Sequence, residues 1–189
     1  MYLIGIDIGT TNTKVALYKT NGELVHSRSE PAISHKDGPG MMHYVPSQIW
    51  QAASKGIKDV LTKVDNASEV LSVSTSSAGE ALVAIDKDGM ETGESFPWID
   101  TRTKELGPWW RQRFTDQDIY AATGEPAQLK NGLNHIIWIK KNQPEIYNNA
   151  KHWLHLSDFI TYKLTGQAIA NYSIAAASII LYKKAGVKM

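Results

Sequence analysis

Tyr2-Leu3-Ile4-Gly5-Ile6-Asp7-Ile8-Gly9-Thr10-Thr11-Asn12-Thr13-Lys14 opens the chain, and its reading decides the fold. Residues 2–8 alternate and are rich in β-branched side chains, which predicts a strand. Gly9-Thr10-Thr11 punctuates it. A second strand begins at Lys14 and runs to Tyr18, with Val15 and Leu17 as its apolar pair. Lys19-Thr20-Asn21-Gly22-Glu23 then reads as a tight turn, because Asn-Gly supplies the positive φ values that a two-residue hairpin needs. A third strand is expected over 24–30. The chain therefore begins as a β-meander and not as a βαβ unit.

Outward from the meander, His35, Asp37, Gly38, Pro39, Gly40 and His43 fall in an expected loop. A helix is predicted from about Pro46, with Ile49, Ala52, Ala53, Gly56, Ile57, Val60 and Leu61 at helical spacing and Ser47 near its start. Two further strands are expected over 70–74 and 81–85, the second closed by the turn Asp86-Lys87-Asp88-Gly89. From Thr101 the pattern is helical: Thr115 or Asp116 caps one helix, 133–142 forms another, and Ser157 caps a third that reaches Leu164. These elements make an α/β domain, with a mixed five-stranded sheet and flanking helices.

The 189 residues suffice to bury a core, and 42% hydrophobic with 21% charged residues is the balance of a globular protein. A net charge of +1 gives no electrostatic reason to expect nucleic acid or an acidic membrane as partner. The chain has no cysteine, which excludes disulfides, thiol catalysis and cysteine-built zinc sites. It starts on a strand, without a basic leader or an apolar run of spanning length, so a cytoplasmic location is expected.

Asp7 stands at the end of a buried strand, where a carboxylate can hold a hydrated magnesium ion, which takes only one or two protein ligands. Gly9 allows close backbone approach, the amides and hydroxyls of Thr10 and Thr11 can bond phosphate oxygens, and Lys14 adds positive charge. Taken alone, the motif also fits a plain hairpin turn with a capping aspartate. No Walker or Rossmann pattern is present. The hairpin resembles the first phosphate motif of the actin, chaperone and sugar-kinase superfamily, in which an aspartate-bearing hairpin opens a ribonuclease H-like domain.

A second constellation runs Ser74-Thr75-Ser76-Ser77-Ala78-Gly79-Glu80-Ala81-Leu82-Val83-Ala84-Ile85-Asp86, then Pro97-Trp98-Ile99-Asp100-Thr101-Arg102-Thr103. Small residues leave room for a ligand, an indole stacks on the C–H face of a polyol, and carboxylates accept its hydroxyls. Trp98 also fits a core or lid tryptophan, and Asp100 with Arg102 a local ion pair. The W-x-D-x-R-T segment following "VAID" is similar to that of FGGY carbohydrate kinases. The resemblance puts Glu80 where glycerol kinases bind substrate hydroxyls, Trp98 at the sugar-stacking position, Asp100 and Arg102 in the same loop, and Lys130 near the sugar. Residues 129–147 and 155–166 resemble two helices of the family. His135 replaces the usual lysine and is expected on the helix surface, Trp138 in the core, and Asp158 in a structural role. Residues 171–176 resemble "T-D-Y-S-x-A-S", and after Tyr182 the resemblance stops.

The resemblance implies an enzyme that transfers a phosphoryl group from ATP, with Mg2+, to a sugar or polyol. Residues 1–189 would form its sugar-binding lobe, cut short before the general base and without the second lobe, and therefore inactive alone. Glu80 favours a neutral substrate, because a second carboxylate would repel an aldonate, but Lys130 and Arg102 can offset that repulsion, which leaves pentulose, polyol and gluconate all open. The alternative is a non-catalytic sugar-binding or dimerising lobe, since an uncovered lobe face favours self-association into a homodimer. Another actin-like ATPase would share the Asp7 hairpin but leave the Trp98 segment unexplained.

Overall fold

The computed structural model describes residues 1–126 and 128–178. Strands β1 (Tyr2–Ile8), β2 (Asn12–Lys19) and β3 (Leu24–Pro31) form the expected meander, turning at Gly22 with φ of 91°. A short hairpin follows, β4 (Ser34–Gly38) and β5 (Met41–Tyr44), then helix α1 (Pro46–Leu61). After a single 3-10 turn at Ala67–Glu69, strand β6 (Val70–Ser77) returns parallel to β1, and β7 (Leu82–Ile85) follows closely. The remainder is mainly helical: a 3-10 turn at Arg102–Leu106, then α2 (Gly107–Arg111), α3 (Asp116–Thr123), α4 (Gly132–Asn142) and α5 (Pro144–Asn149). Strand β8 (His152–His155), α6 (Leu156–Thr165) and α7 (Tyr172–Ala177) complete the described chain.

The main sheet is mixed, in the order β3-β2-β1-β6, with β1 antiparallel to β2 and parallel to β6. Alternation on β1 sends Ile4, Ile6 and Ile8 inward, where they meet Val15 and Leu17 of β2 and the apolar stripe of α1. That stripe is Ile49, Ala53, Gly56 and Val60, the three-and-four spacing of one helix face. Gly56 is there for close approach: a Cβ on it would lie 2.5 Å from Val15 Cγ2. Phe159 and Ile160 of α6 join the same core. Among the described residues no helix is long and apolar enough to cross a membrane.

Several expectations need correction. The main sheet has four strands, not five, because Glu80 adopts a left-handed φ of 73° that breaks the extended run between β6 and β7. Strand β7 pairs instead with β8, antiparallel, Leu82 opposite His155 and Ile85 opposite His152. Buried at every position, it forms a second small layer. The expected loop over 35–43 is the β4–β5 hairpin, whose Gly40, at φ 72°, accepts the Thr101 amide on its carbonyl at 2.9 Å. Thr115 does cap α3, exchanging bonds with Asp118 in a capping box. Ser157 does not cap α6; His155 holds that position and Ser157 lies in the first turn. The residues beyond Tyr182 lie outside the described ones.

Candidate active site

Parallel pairing of β1 and β6 brings two turns to one end of the sheet. Ile8 runs into Gly9-Thr10-Thr11, and Ser77 runs into Ala78-Gly79-Glu80; the Ala78 amide donates to the Ile8 carbonyl at 2.9 Å. In open α/β sheets the crevice beyond the carboxyl ends of parallel strands is where ligands bind.

On the phosphate side, Asp7 lies opposite Lys14 on β2 and Ser76 on β6. All three are exposed and sit on the sheet face opposite the isoleucines. Gly5, Asp7, Lys14, Ser74 and Ser76 line a shallow groove of 250 Å³. Thr10 and Thr11 are exposed in the turn, and a Cβ on Gly9 would come within 3.1 Å of the Asn12 carbonyl oxygen. A carboxylate ringed by hydroxyls, with an ammonium beside it, fits a hydrated magnesium ion and a phosphate chain.

On the other side, the strained Glu80 is held through one oxygen. Its Oε2 accepts from the Gly132 amide at 2.5 Å and from Ser178 Oγ at 2.8 Å. Burial pushes the Glu80 carboxyl above its ordinary range, opposed by those two bonds and by the charges of His155 and Lys130. Gly132 cannot carry a side chain without crowding: a Cβ would lie 3.0 Å from Leu82 Cδ1 and 3.1 Å from Ser178. Trp98 is 46% exposed, and the Lys130 ammonium lies 5.9 Å from its ring centre. Lys130 thus lies near Trp98 and acts on Glu80 through its charge, and the Trp98 side chain is partly open to solvent.

Asp100 and Arg102 are buried and engaged with each other. Arg102 Nε donates to Asp100 Oδ1 at 2.8 Å, and Nη2 donates to Asp37 Oδ2 at 2.6 Å, while the guanidinium stacks 3.6 Å over Phe96. The pair therefore clamps the β4–β5 hairpin from below and offers no open face to a ligand. His135, expected on the surface, is 1% exposed, because the first turn of α4 packs against the Glu80 segment. Its Nδ1 faces the Glu80 carbonyl at 3.4 Å, and burial pushes its pKa down to about 4, so the ring is neutral. Trp138 is half-buried, edge-on to Phe96.

Asp37, His43 and Glu94 place ligand atoms within 4.8 Å of one another, close enough for a metal ion. Yet His43 Nδ1 bonds Asp37 at 2.8 Å, its Nε2 lies 3.3 Å from Glu94, and Asp37 also serves Arg102. The cluster is an ion-pair network whose donors are already matched. An apolar cavity of 370 Å³ touches Gly9, with Ile8, Thr13, Ile33, Ile49 and Leu156 around it, but none of the sugar-side residues lines it.

With this geometry in hand, the chain matches the FGGY family of carbohydrate kinases, N-terminal domain, over residues 2–183. It belongs to that family. It is 28% identical over 177 residues to a gluconokinase from Bacillus subtilis, covering 94% of this chain and 34% of that protein. It is 25% identical over 181 residues to a xylulose kinase from Staphylococcus epidermidis, covering 94% and 35%. Two solved structures from Lactobacillus acidophilus, each 29% identical and covering 96% of this chain and 36% of the other, are similar. One is a ligand-bound xylulose kinase with a TM-score of 0.86, the other a gluconate kinase with 0.87. A Plasmodium falciparum glycerol kinase with ADP, 21% identical, covers 96% and 38% and shares the fold at a TM-score of 0.80. The fold is therefore that of the actin-like ATPases, and the chain spans about a third of the length of the curated relatives it matches.

Proposed function

We propose that this chain is the sugar-side lobe of an ATP-dependent kinase that phosphorylates a hydroxyl of a sugar or polyol. The observation that carries the reading is the one-sided grip on Glu80: Gly132 and Ser178 both bond Oε2, which leaves Oε1 to accept a ligand hydroxyl. The Lys130 ammonium lies 5.9 Å from the centre of the half-exposed Trp98 ring. The phosphate turn leaves the adjacent strand at the same end of the sheet.

In this reading Trp98 stacks on the C–H face of the sugar and Glu80 fixes its hydroxyls. Asp7 orients magnesium through water, and Gly9, Thr10, Thr11 and Lys14 engage the phosphates of ATP. Magnesium would supply charge neutralisation on the transferring phosphoryl group. Asp100 and Arg102, being buried, act by holding the Trp98 loop against the hairpin, and do not touch the sugar. The general base and the adenine pocket are expected from the longer protein, so residues 1–189 alone carry no useful kinase activity. An ionised Glu80 favours a neutral ketose or polyol over an aldonate, although Lys130 offsets part of that repulsion.

Isothermal calorimetry of the chain against polyols, ketoses and aldonates, with and without Mg-ATP, tests the proposal. One sugar should bind and be lost on Glu80→Gln and on Trp98→Ala. A folded chain that binds none of the panel would overturn the assignment of the sugar site to these residues. A second reading, a dimerising lobe, has one observation in its favour: β6 has β1 as its neighbour on one side of the sheet and exposes Leu71 and Val73.

A further inference from the structure

Glu80 is the first member of a longer buried chain. Ser178 Oγ lies 2.8 Å from Glu80 Oε2 and 2.7 Å from His155 Nε2, and His155 Nδ1 lies 3.5 Å from Asp158 Oδ2. Glu80 is 9% exposed, Ser178 0%, His155 2% and Asp158 6%, so the contacts lie in a low-dielectric surrounding. The four residues come from four places: the turn after β6, the end of α7, the last residue of β8 and the first turn of α6.

We propose that Ser178 and His155 are positioning residues that join Glu80 to Asp158, and that one proton is shared along the chain between the Glu80 carboxyl and the His155 imidazole. The geometry stands by itself; its consequence for substrate choice rests on the reading of Glu80 as a sugar-binding group.

The inference follows from counting hydrogens. A serine hydroxyl has one to donate, and Ser178 faces two acceptors. If Glu80 is ionised, Ser178 donates to Oε2 and His155 Nε2–H donates to Ser178; a proton on Nδ1 as well lets the imidazolium face the Asp158 carboxylate. If Glu80 carries the proton, it donates to Ser178, Ser178 donates to Nε2, and the remaining ring proton is on Nδ1, 3.5 Å from Asp158 Oδ2. The two states hold the same number of protons. Passing between them moves the Oε2 proton to Ser178 and the Ser178 proton to Nε2, with Nδ1–H unchanged. Asp158 Oδ2 has no hydrogen-bond partner among the described residues and lies 3.5 Å from His155 Nδ1, so it faces the imidazole as a nearby charge and not through a hydrogen bond.

Among the described residues, the other charged groups near these four are Lys130, Asp100 and Arg102. Lys130 faces Glu80 and favours its ionised form. His135 touches the Glu80 carbonyl and is neutral, and Asp100 and Arg102 lie behind it as a matched pair. Asp158 and Ser157 line a polar cavity of 460 Å³ with Thr75, Ser76, Ser77 and Thr161, which gives the far end a route to solvent. With the proton on His155, Oε1 accepts a neutral sugar and repels an acidic one; with the proton on Glu80, an aldonate carboxylate is tolerated. Ser178 and His155 would thereby set which substrate class the site takes.

Nitrogen-15 NMR of the histidine-labelled chain, with carbon-13 in glutamate side chains, tests this directly. In the wild-type chain the His155 ring nitrogens and the Glu80 carboxyl carbon should move on one common pH curve. Glu80→Gln, which keeps the shape, should shift the His155 transition to lower pH, and Ser178→Ala should split the two curves. If Ser178→Ala does not fold, Glu80→Gln decides by itself. His155 signals that ignore Glu80→Gln across the carboxyl and imidazole ranges overturn the shared proton. A sugar that binds the wild type but not Glu80→Gln, with His155 indifferent, keeps the sugar site and removes the chain. Coupled titration in a chain that binds no sugar does the reverse.

Discussion

Glu80 sits at φ 73°, a left-handed conformation that costs a residue with a Cβ about 1–2 kcal/mol. Glycine adopts it freely, so Glu80→Gly should be more stable than Glu80→Ala by about 1 kcal/mol. Both substitutions lose the carboxylate, so their difference in urea unfolding isolates the backbone. His135 provides a pH signature. Its folded pKa is depressed from 6.5 to about 4, so below 6.5 the unfolded chain binds the extra proton. Stability from this group is present above 6.5 and is lost as pH falls toward 4, by about 3 kcal/mol in all. Glu80 has the opposite sign: its folded pKa is raised from 4.5, so its contribution is present below 4.5 and declines as pH rises through the folded value. Urea midpoints of His135→Gln should therefore fall less than those of the wild type on acidification below 6.5. Glu80 and Trp98 were legible from residue type and motif. The partners that fix Glu80 were not, because Gly132 and Ser178 lie 52 and 98 positions away and no periodicity links them to it.

At the scale of elements, apolar spacing announced the meander and α1, whose inward and outward residues alternate at the strand and helix periods. It could not announce the β4–β5 hairpin, where histidines, an aspartate, two glycines and a proline hide the alternation and the hairpin is held by Thr101, Arg102 and Asp100. Nor could it show that β7 leaves the main sheet for β8, a choice made by one left-handed residue and by a partner strand 70 positions on, Leu82 opposite His155 at one end and Ile85 opposite His152 at the other. Gly56 offers a test of packing against propensity. Alanine gains about 1 kcal/mol as a helix former but must displace Val15, at a cost of about 1–3 kcal/mol. Thermal unfolding of Gly56→Ala should show a net loss of up to about 2 kcal/mol; a gain would mean that α1 can slide off the sheet.

At the scale of the molecule, four strands, two short ribbons and the helices bring the Gly9–Thr11 turn and Glu80 to one end, but among the described residues no strand pairs with the outer side of β6, which exposes apolar side chains. Leu71 is 55% exposed and Val73 43%. Such an edge is a template for another strand. Sedimentation velocity should show concentration-dependent association of the chain, and Val73→Lys should reduce it without lowering the unfolding free energy by more than about 0.5 kcal/mol.

The parallel pairing of β1 with β6 bears also on the order in which the molecule is built. Strands β1 to β3 are joined by tight turns and pair residues fewer than twenty positions apart, from Ile8 with Thr13 to Asn12 with Pro31, whereas β6 reaches β1 only after some seventy residues of intervening chain, Tyr2 pairing with Val70. Loop closure must precede the reward of a distant contact, so the ribbon of three forms early and the fourth strand late. A chain emerging from the ribosome can complete that ribbon before residue 70 has been added. The strand that leads to Glu80 then arrives at a finished edge, and the phosphate turn waits for its neighbour to be made.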